Sequence, residues 1–281
     1  MPKYGLLLTL AVLAALTARL LTPPFIHLFH QGRQLKRNFR RELIPQGTGI
    51  LFVLCSLPWY ALYLATAKLS LPDISTVFLL ALAVLTMGLL GLLDDLLGSR
   101  DIRGLRGHFK ALLSGQLTTG ILKAAGGLAV ALLVSSFWFS RRGEILVSTL
   151  VLALFTNLLN LLDLRPGRAI KFYLGLVVIV GLSSVLTGNY QLLLLMLPLI
   201  GTVVGYFPFD LKARAMMGDA GANVLGISAG ILAVSQLDYS GKLTALAILV
   251  LVHVVADRYS LSRLIAHSRI LSLFDNLGRQ N

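Results

Sequence analysis

The chain has 281 residues, of which 56% are hydrophobic and 13% charged, and its mean hydropathy is +0.82. Because a soluble globular domain carries about 25% charged residues, this composition excludes disorder, disfavours an ordinary soluble enzyme and favours an integral membrane protein. The net charge of +13 fits nucleic acid, an anionic lipid or an anionic substrate, and the single cysteine, Cys55, excludes an internal disulfide.

Nine apolar segments that could each cross a membrane follow one another along the chain. They lie at about residues 4–26, 48–67, 74–97, 109–138, 145–162, 170–187, 190–208, 222–237 and 242–265. The fourth segment is long for one span, and Lys123 with Gly126-Gly127 predicts a break or a strong tilt in it. The pattern predicts a single polytopic, all-α membrane domain over residues 1–281.

The basic residues predict the orientation of these spans, because cytoplasmic loops are enriched in Lys and Arg. With the N-terminus outside and the C-terminus cytoplasmic, 18 of the 25 basic residues lie in cytoplasmic loops and five outside, Arg141 and Arg142 among the five. Nine of the 12 acidic residues lie on the same cytoplasmic side, although acidic residues contribute little to orientation. We therefore predict a functional site on the cytoplasmic face of the plasma membrane, and no nucleic-acid partner.

The first cytoplasmic loop, from His27 to Gln46, carries five Lys or Arg residues within nine positions. Such a cluster beside a span binds anionic lipid headgroups or phosphates, or else it only sets the topology. The loop ends in Pro45-Gln46-Gly47-Thr48-Gly49, which predicts a turn leading into the second span.

A pair of adjacent carboxylates, Asp94 and Asp95, ends the third apolar segment. Ionisable groups at that depth are costly and usually functional. One carboxylate could act as a base while the other is paired or lies near a metal. The alternative is a solvated helix end beside a basic loop.

Asn157, Asn160 and Asp163 recur every three residues at the end of the fifth segment. This spacing places them on one helix face, where a polar ligand or a metal would satisfy them. The alternative is that the amides form hydrogen bonds between helices.

A carboxylate between glycines, in Met217-Gly218-Asp219-Ala220-Gly221-Ala222-Asn223, marks a junction between a loop and a helix. Asp219 is a natural Mg²⁺ ligand, and the free N–H groups of the following helical turn suit a phosphate. The alternative is an Asp that caps the helix. The spacing of the histidines disfavours a zinc site.

Together these clusters favour Mg²⁺-assisted chemistry on a diphosphate at the membrane surface. The chain resembles the polyprenyl-phosphate N-acetylhexosamine-1-phosphate transferase superfamily, which is glycosyltransferase family 4. The resemblance covers roughly residues 20–280. The matching segments are Gly91–Asp95 with Lys110–Gln116, the positions Asn157, Asn160 and Asp163, the segment Ala213–Ala222, and the turn Pro45–Gly49.

The resemblance implies a helical bundle with a cytoplasmic cleft that transfers a sugar-1-phosphate from a UDP-sugar to undecaprenyl phosphate. It implies catalytic roles for Asp94 as the base, Asp95 and Asp219, and an Mg²⁺ ion, or Mn²⁺, on Asp219 and Asp163. The residues that would bind the substrates are Lys110, Asn157, Asn160, Asp163, Arg214, Gly218 and Gly221, with Asp95 beside them. Membrane lipids are further partners, and a homodimer is one assembly that the resemblance allows.

The sequence departs from the superfamily pattern at two places. Leu164 and Pro166 stand where the pattern has a glycine and a second aspartate, and a histidine-rich loop near the C-terminus is replaced by a segment that includes Asp275 and Arg279. Two hypotheses therefore remain: an active transferase of altered specificity, or a non-catalytic relative that binds a lipid phosphate, a nucleotide or a protein partner. A transporter and a prenyltransferase with aspartate-rich motifs are the least favoured alternatives. A transporter should show paired half-repeats with broken helices near the middle of the membrane, whereas the polar residues here gather at one surface.

Overall fold

The structure is a computed structural model that describes residues 2–98, 107, 111 and 113–279. It is built almost entirely from helices. These are α1 (Pro2–Gln31), α2 (Leu51–Thr66), α3 (Leu71–Leu97), α4 (Thr119–Trp138), α5 (Arg142–Leu162), α6 (Arg168–Thr187), α7 (Gln191–Leu195), α8 (Leu197–Leu211), α9 (Gly218–Gln236), α10 (Tyr239–Arg258), α11 (Leu261–His267) and α12 (Arg269–Asn276). Eight helices in the described part of the chain are long and apolar enough to cross a membrane, and α8 is a shorter apolar helix. The prediction of a polytopic helical membrane protein is confirmed.

The structure corrects several predicted span boundaries. Helix α1 continues through Pro23-Pro24 to Gln31, and α10 ends at Arg258 rather than near residue 265. Helix α4 begins only at Thr119 and continues through Lys123 and Gly126-Gly127, so the predicted segment is not broken at these residues but is non-helical at residues 114–118. The seventh predicted span is divided into α7 and α8 beside Pro198, whose ring removes one backbone N–H donor from the helix.

Helix α9 lies at the centre of the bundle. It packs against α3, α5 and α6, and nearly all of its side chains are buried. Its sequence suits this position, because Gly and Ala residues allow neighbouring helices to approach closely. The start of this central helix is therefore surrounded by the ends of several other helices.

A short antiparallel hairpin follows α1, which the all-α prediction did not include. Its strands, β1 (Leu35–Arg37) and β2 (Leu43–Pro45), precede a 3₁₀ turn at Thr48–Ile50. The chain after β2 pairs with the loop before α9, since the backbone N–H of Met216 donates to the carbonyl of Pro45 at 2.8 Å. The hairpin therefore joins the first loop to the start of the central helix.

A cavity lies at the far end of the bundle, away from the carboxylate motifs. It encloses about 780 Å³ between the starts of α3 and α10, helix α7, and the ends of α4 and α9. Lys242 lies in its wall, 2% exposed, with an ion pair to Glu144 at 2.6 Å and its ammonium 3.5 Å from the centre of the Phe139 ring. This pair fastens the start of α10 to the start of α5.

Candidate active site

The end of α3 lies directly against the start of α9. A side chain at Gly91 would overlap the backbone of Asp219 and Ala220, so only glycine allows this approach. The contact brings the carboxylates one turn further along α3 to the first turn of α9. The structure therefore brings the first and third acidic motifs together.

Asp95 accepts three hydrogen bonds that hold this junction together. Gln46 Nε2 donates to its carboxylate at 2.6 Å, and the backbone N–H groups of Asp219 and Ala220 donate at 3.1 and 3.0 Å. Gly218 precedes them with a φ of +66°, and a side chain at this position would collide with the Asp95 carboxylate. Asp95 thus caps α9 from a neighbouring helix, where a negative charge is favoured by the helix dipole.

This arrangement corrects the prediction that the first N–H groups of α9 are free for a phosphate. Two of these N–H groups, those of Asp219 and Ala220, already donate hydrogen bonds to the Asp95 carboxylate. Asp219 is also not the cap of its own helix, since it lies inside the first turn. The prediction rested on the rule that the first N–H groups of a helix lack partners within that helix. The local sequence does not show that Asp95, from a distant segment, accepts two of them.

Lys123 joins the two remaining carboxylates of the site. Its ammonium donates to Asp94 Oδ2 at 2.8 Å and also to Asp219 Oδ2. The side chains of Lys123, Asp94 and Asp219 are 25%, 20% and 30% exposed, so the trio faces accessible space rather than a sealed interior. Sequence reasoning assigned no site role to Lys123, although a lysine within an apolar segment was itself a signal of function.

The two asparagines of the second motif lie in different environments, since Asn160 is hydrogen-bonded to α9 and Asn157 is exposed. Asn160 Nδ2 donates to Asn223 Oδ1 at 2.7 Å and thereby links α5 to α9. Asn160 Oδ1 and Asn223 Nδ2 are buried without a hydrogen-bond partner among the described residues, and such atoms require a water molecule or a polar ligand. Asn157 is exposed, and no hydrogen bond of the described residues joins it to the carboxylates.

Asp163 follows α5 directly and completes the acidic character of this end of the bundle. Burial raises the pKa of Asp163 well above its usual value, and the negative charges of Asp210 and Asp219 raise it further. The neighbouring carboxylates therefore act on one another through space, and a cation close to them would relieve the repulsion.

The donor set fits Mg²⁺ in chemical type. Asp219 and Asp163 offer carboxylate oxygens, which Mg²⁺ prefers, and the ion usually takes only one or two carboxylates together with substrate oxygens and waters. Among the described residues, no group of three or more His, Cys, Asp or Glu side chains could enclose a metal ion. The described residues alone could therefore hold the ion only in part, and substrate oxygens and waters would complete its ligands.

The other predicted binding residues are placed as follows. Arg214 is exposed on the loop before α9, and Gly221 is buried against Gly49. Lys110 lies outside the described residues.

The loop that departs from the superfamily pattern is held by the C-terminal helices. The Arg168 guanidinium donates to both oxygens of Asp275 at 2.7 and 3.0 Å, while Arg279 donates to Asp275 and to the carbonyl of Pro166. Burial alone would raise the pKa of Asp275, but the hydrogen bonds from the two arginines outweigh it and hold that pKa below the ordinary range. We call these four residues the C-terminal clamp. Arg168 thus has a structural partner, and Arg165 lies 5.0 Å over the ring of Phe39.

The site as a whole combines a capped helix start with a partly exposed cluster of carboxylates around one lysine. Asp95 is engaged in holding the two helices, whereas Asp94 and Asp219 face accessible space. A cluster of this kind can accept a proton, attract a cation and, through the lysine, attract a phosphate.

Two comparisons with known proteins cover the part of the chain that holds this site. A sequence model described as "Glycosyl transferase family 4" matches residues 77–236, more than half of the chain, and that range contains Asp94, Lys123 and Asp219. The chain is also similar to the phospho-N-acetylmuramoyl-pentapeptide-transferase of Moorella thermoacetica, with 28% identity over 79% of this chain and 73% of that protein.

Proposed function

The chain belongs to glycosyl transferase family 4, and on that premise we propose that it transfers a sugar-1-phosphate of the N-acetylhexosamine type from a UDP-sugar to undecaprenyl phosphate and releases UMP. Family membership confirms the resemblance seen in the motifs, and with the pentapeptide-transferase relative it indicates a phospho-sugar transferase. We further propose that the enzyme serves bacterial cell-envelope polysaccharide synthesis in the plasma membrane, with its site facing the cytoplasm.

The meeting of Asp94, Lys123 and Asp219 carries this proposal. They come from the end of α3, the start of α4 and the start of α9, and two of the three family motifs supply the carboxylates. A phosphate-transfer site needs groups that take a proton and groups that neutralise phosphate charge, and these three side chains supply both kinds.

The proposed reaction exchanges one phosphorus–oxygen bond for another. An oxygen of the lipid phosphate forms a bond to the β-phosphorus of the UDP-sugar, the bond from that phosphorus to the bridging oxygen breaks, and UMP leaves with the bond's electrons. Asp94 accepts the proton of the lipid phosphate, so that the attacking oxygen is fully charged. Asp95 keeps α3 and α9 in register and so fixes the distance between Asp94 and Asp219.

Mg²⁺, when bound, would supply positive charge to the diphosphate oxygens, and Asp219 with Asp163 are the residues proposed to hold it. The lysine ammonium beside Asp219 offers a phosphate a further positive charge. The unpaired Asn160 Oδ1 and Asn223 Nδ2 offer one acceptor and one donor to a polar part of the substrate.

The test is a direct assay of the purified protein. Protein in detergent is incubated with Mg²⁺, undecaprenyl phosphate and a panel of UDP-sugars, and UMP and the lipid product are measured. We expect release of UMP with at least one donor, and its loss in the Asp94→Asn and Asp219→Asn variants. Asp238→Asn is the matched control, because Asp238 is an exposed carboxylate that caps the start of α10 at the far end of the bundle, where asparagine is an equally good cap.

A second candidate, a non-catalytic relative that binds a lipid phosphate or a nucleotide, is favoured by one observation. Arg168, directly after the altered loop, is committed to the C-terminal clamp, so its guanidinium holds the C-terminal helices instead of facing a ligand. Saturable binding of UDP or undecaprenyl phosphate, without UMP from any donor, would select this candidate and overturn the transferase.

A further inference from the structure

We propose that Lys123 is a built-in counter-cation that competes with the divalent metal for Asp219, so that the diphosphate must bind before the metal is held tightly. The inference rests on the proposed function, since it concerns the same site. It concerns one residue that no motif of the family pattern covered.

The first step is the charge balance of the free site. Asp94 and Asp219 share the single ammonium of Lys123, so the trio carries one net negative charge rather than two. A divalent cation is attracted less strongly to this arrangement than to two unpaired carboxylates. Lys123 therefore weakens metal binding when no substrate is present.

The second step is the place of the ammonium. It contacts Oδ2 of Asp219, the residue proposed to hold the metal, so an ion bound to that oxygen must move the ammonium away. Asp95 cannot take the ion instead, because Gln46 and two backbone N–H groups already occupy its carboxylate.

The third step is what a diphosphate does to the lysine. A lysine side chain carries a compact ammonium charge at the end of a flexible chain, and it binds phosphate oxygens well. Because Lys123 is partly exposed, a ligand can reach its ammonium. When the ammonium turns to a phosphate, Asp219 becomes free for the metal. Metal and diphosphate then strengthen each other's binding, and the coupling is reciprocal.

The experiment measures Mn²⁺ binding to the full purified chain, by calorimetry or by the paramagnetic resonance of the free ion. We expect Lys123→Gln to bind Mn²⁺ at least about tenfold more tightly than wild type without nucleotide, because one unit charge next to the carboxylates is removed. Lys68→Gln is the matched control, because Lys68 is an exposed lysine just before the opposite end of α3. Lys123→Arg keeps the charge and should bind Mn²⁺ as weakly as wild type, and adding UDP should tighten Mn²⁺ binding in wild type more than in Lys123→Gln.

The outcomes separate this inference from the proposed function. Mn²⁺ binding by Lys123→Gln that is equal to or weaker than that of wild type would overturn the competition. Mn²⁺ binding by Lys123→Arg that is as tight as the value expected for Lys123→Gln would also overturn it, and this second result can be measured even if the Gln variant does not fold. A purely structural role for Lys123 predicts a loss of Mn²⁺ affinity, not a gain. Failure of UDP to bind at all would contradict the proposed donor and leave the effect of Lys123 on Mn²⁺ intact.

Discussion

Asp94 and Asp95 are neighbours in sequence, yet the structure gives them different tasks, and this difference can be measured. Asp95→Asn keeps the shape of the side chain and one acceptor oxygen. That oxygen can still accept from Gln46 and the Asp219 N–H, but an NH₂ group then faces the N–H of Ala220. The loss of one hydrogen bond to a charged acceptor costs about 1.5–3 kcal/mol of folding stability. The loss of the negative charge at the start of α9 costs about 0.3–1 kcal/mol more.

We therefore expect Asp95→Asn to lower the free energy of unfolding by about 2–4 kcal/mol. Asp94→Asn removes only one half of a partly exposed pair, and Lys123 keeps Asp219 as its partner. Its expected effect on the free energy of unfolding is below about 1 kcal/mol. Both variants should lose UMP release, so the two carboxylates are separated by stability alone.

The assay is titration of the purified protein from mild detergent into SDS, with helix content followed by circular dichroism. Asp95→Asn should unfold at a clearly lower SDS fraction than wild type, and Asp94→Asn close to wild type. If Asp95→Asn is as stable as wild type, or if Asp94→Asn is destabilised equally, Asp95 does not hold the junction of α3 and α9.

Three further predictions follow from other contacts. Gly91→Ala should reduce the free energy of unfolding by about 1–3 kcal/mol because its methyl group meets the α9 backbone, whereas the control Gly175→Ala, with open space around it, should be neutral or stabilising in the same SDS titration. Glu144→Gln should reduce the free energy of unfolding by about 3 kcal/mol, because the buried ammonium of Lys242 then lacks its carboxylate. If Glu144→Gln unfolds at the same SDS fraction as wild type, the ion pair does not fasten α10. The pKa of Asp275 is lowered in the folded protein, so its contribution is complete above the unfolded pKa of about 3.9 and is lost as pH falls through the lower folded value. Pepsin cleavage between residues 259 and 279 should therefore begin only below about pH 4 in wild type but at pH 5 in Asp275→Asn, and equal cleavage of both proteins at pH 5 would contradict this.

Sequence reasoning recovered the fold class because a membrane span depends on length and apolar composition, which can be read locally. It placed the end of α1 and the end of α10 wrongly, because hydropathy alone marks where a helix is apolar and not where its backbone stops. The hairpin before α2 was missed because its three-residue strands are held by pairing with each other and lie beside the loop before α9.

The carboxylates of the site were predicted from residue types, but their roles were not. Whether an aspartate is free or engaged depends on donors far away in sequence: Asp95 is held by Gln46, 49 positions earlier, and by Ala220, 125 positions later. Lys123 was visible as a charge inside an apolar segment, and a stricter reading of that signal would have placed it in the site.

The C-terminal clamp has a consequence for the order in which the molecule is assembled. The loop at Pro166 and Arg168 is completed only by Asp275 and Arg279, more than 100 positions later in translation. Helices α1 to α10 can therefore enter the membrane and pack while this loop still lacks its partners. Because the chain is made from its N-terminus, closure of the clamp is a late event of biogenesis, and it finishes a loop next to Asp163 after the rest of the bundle has formed.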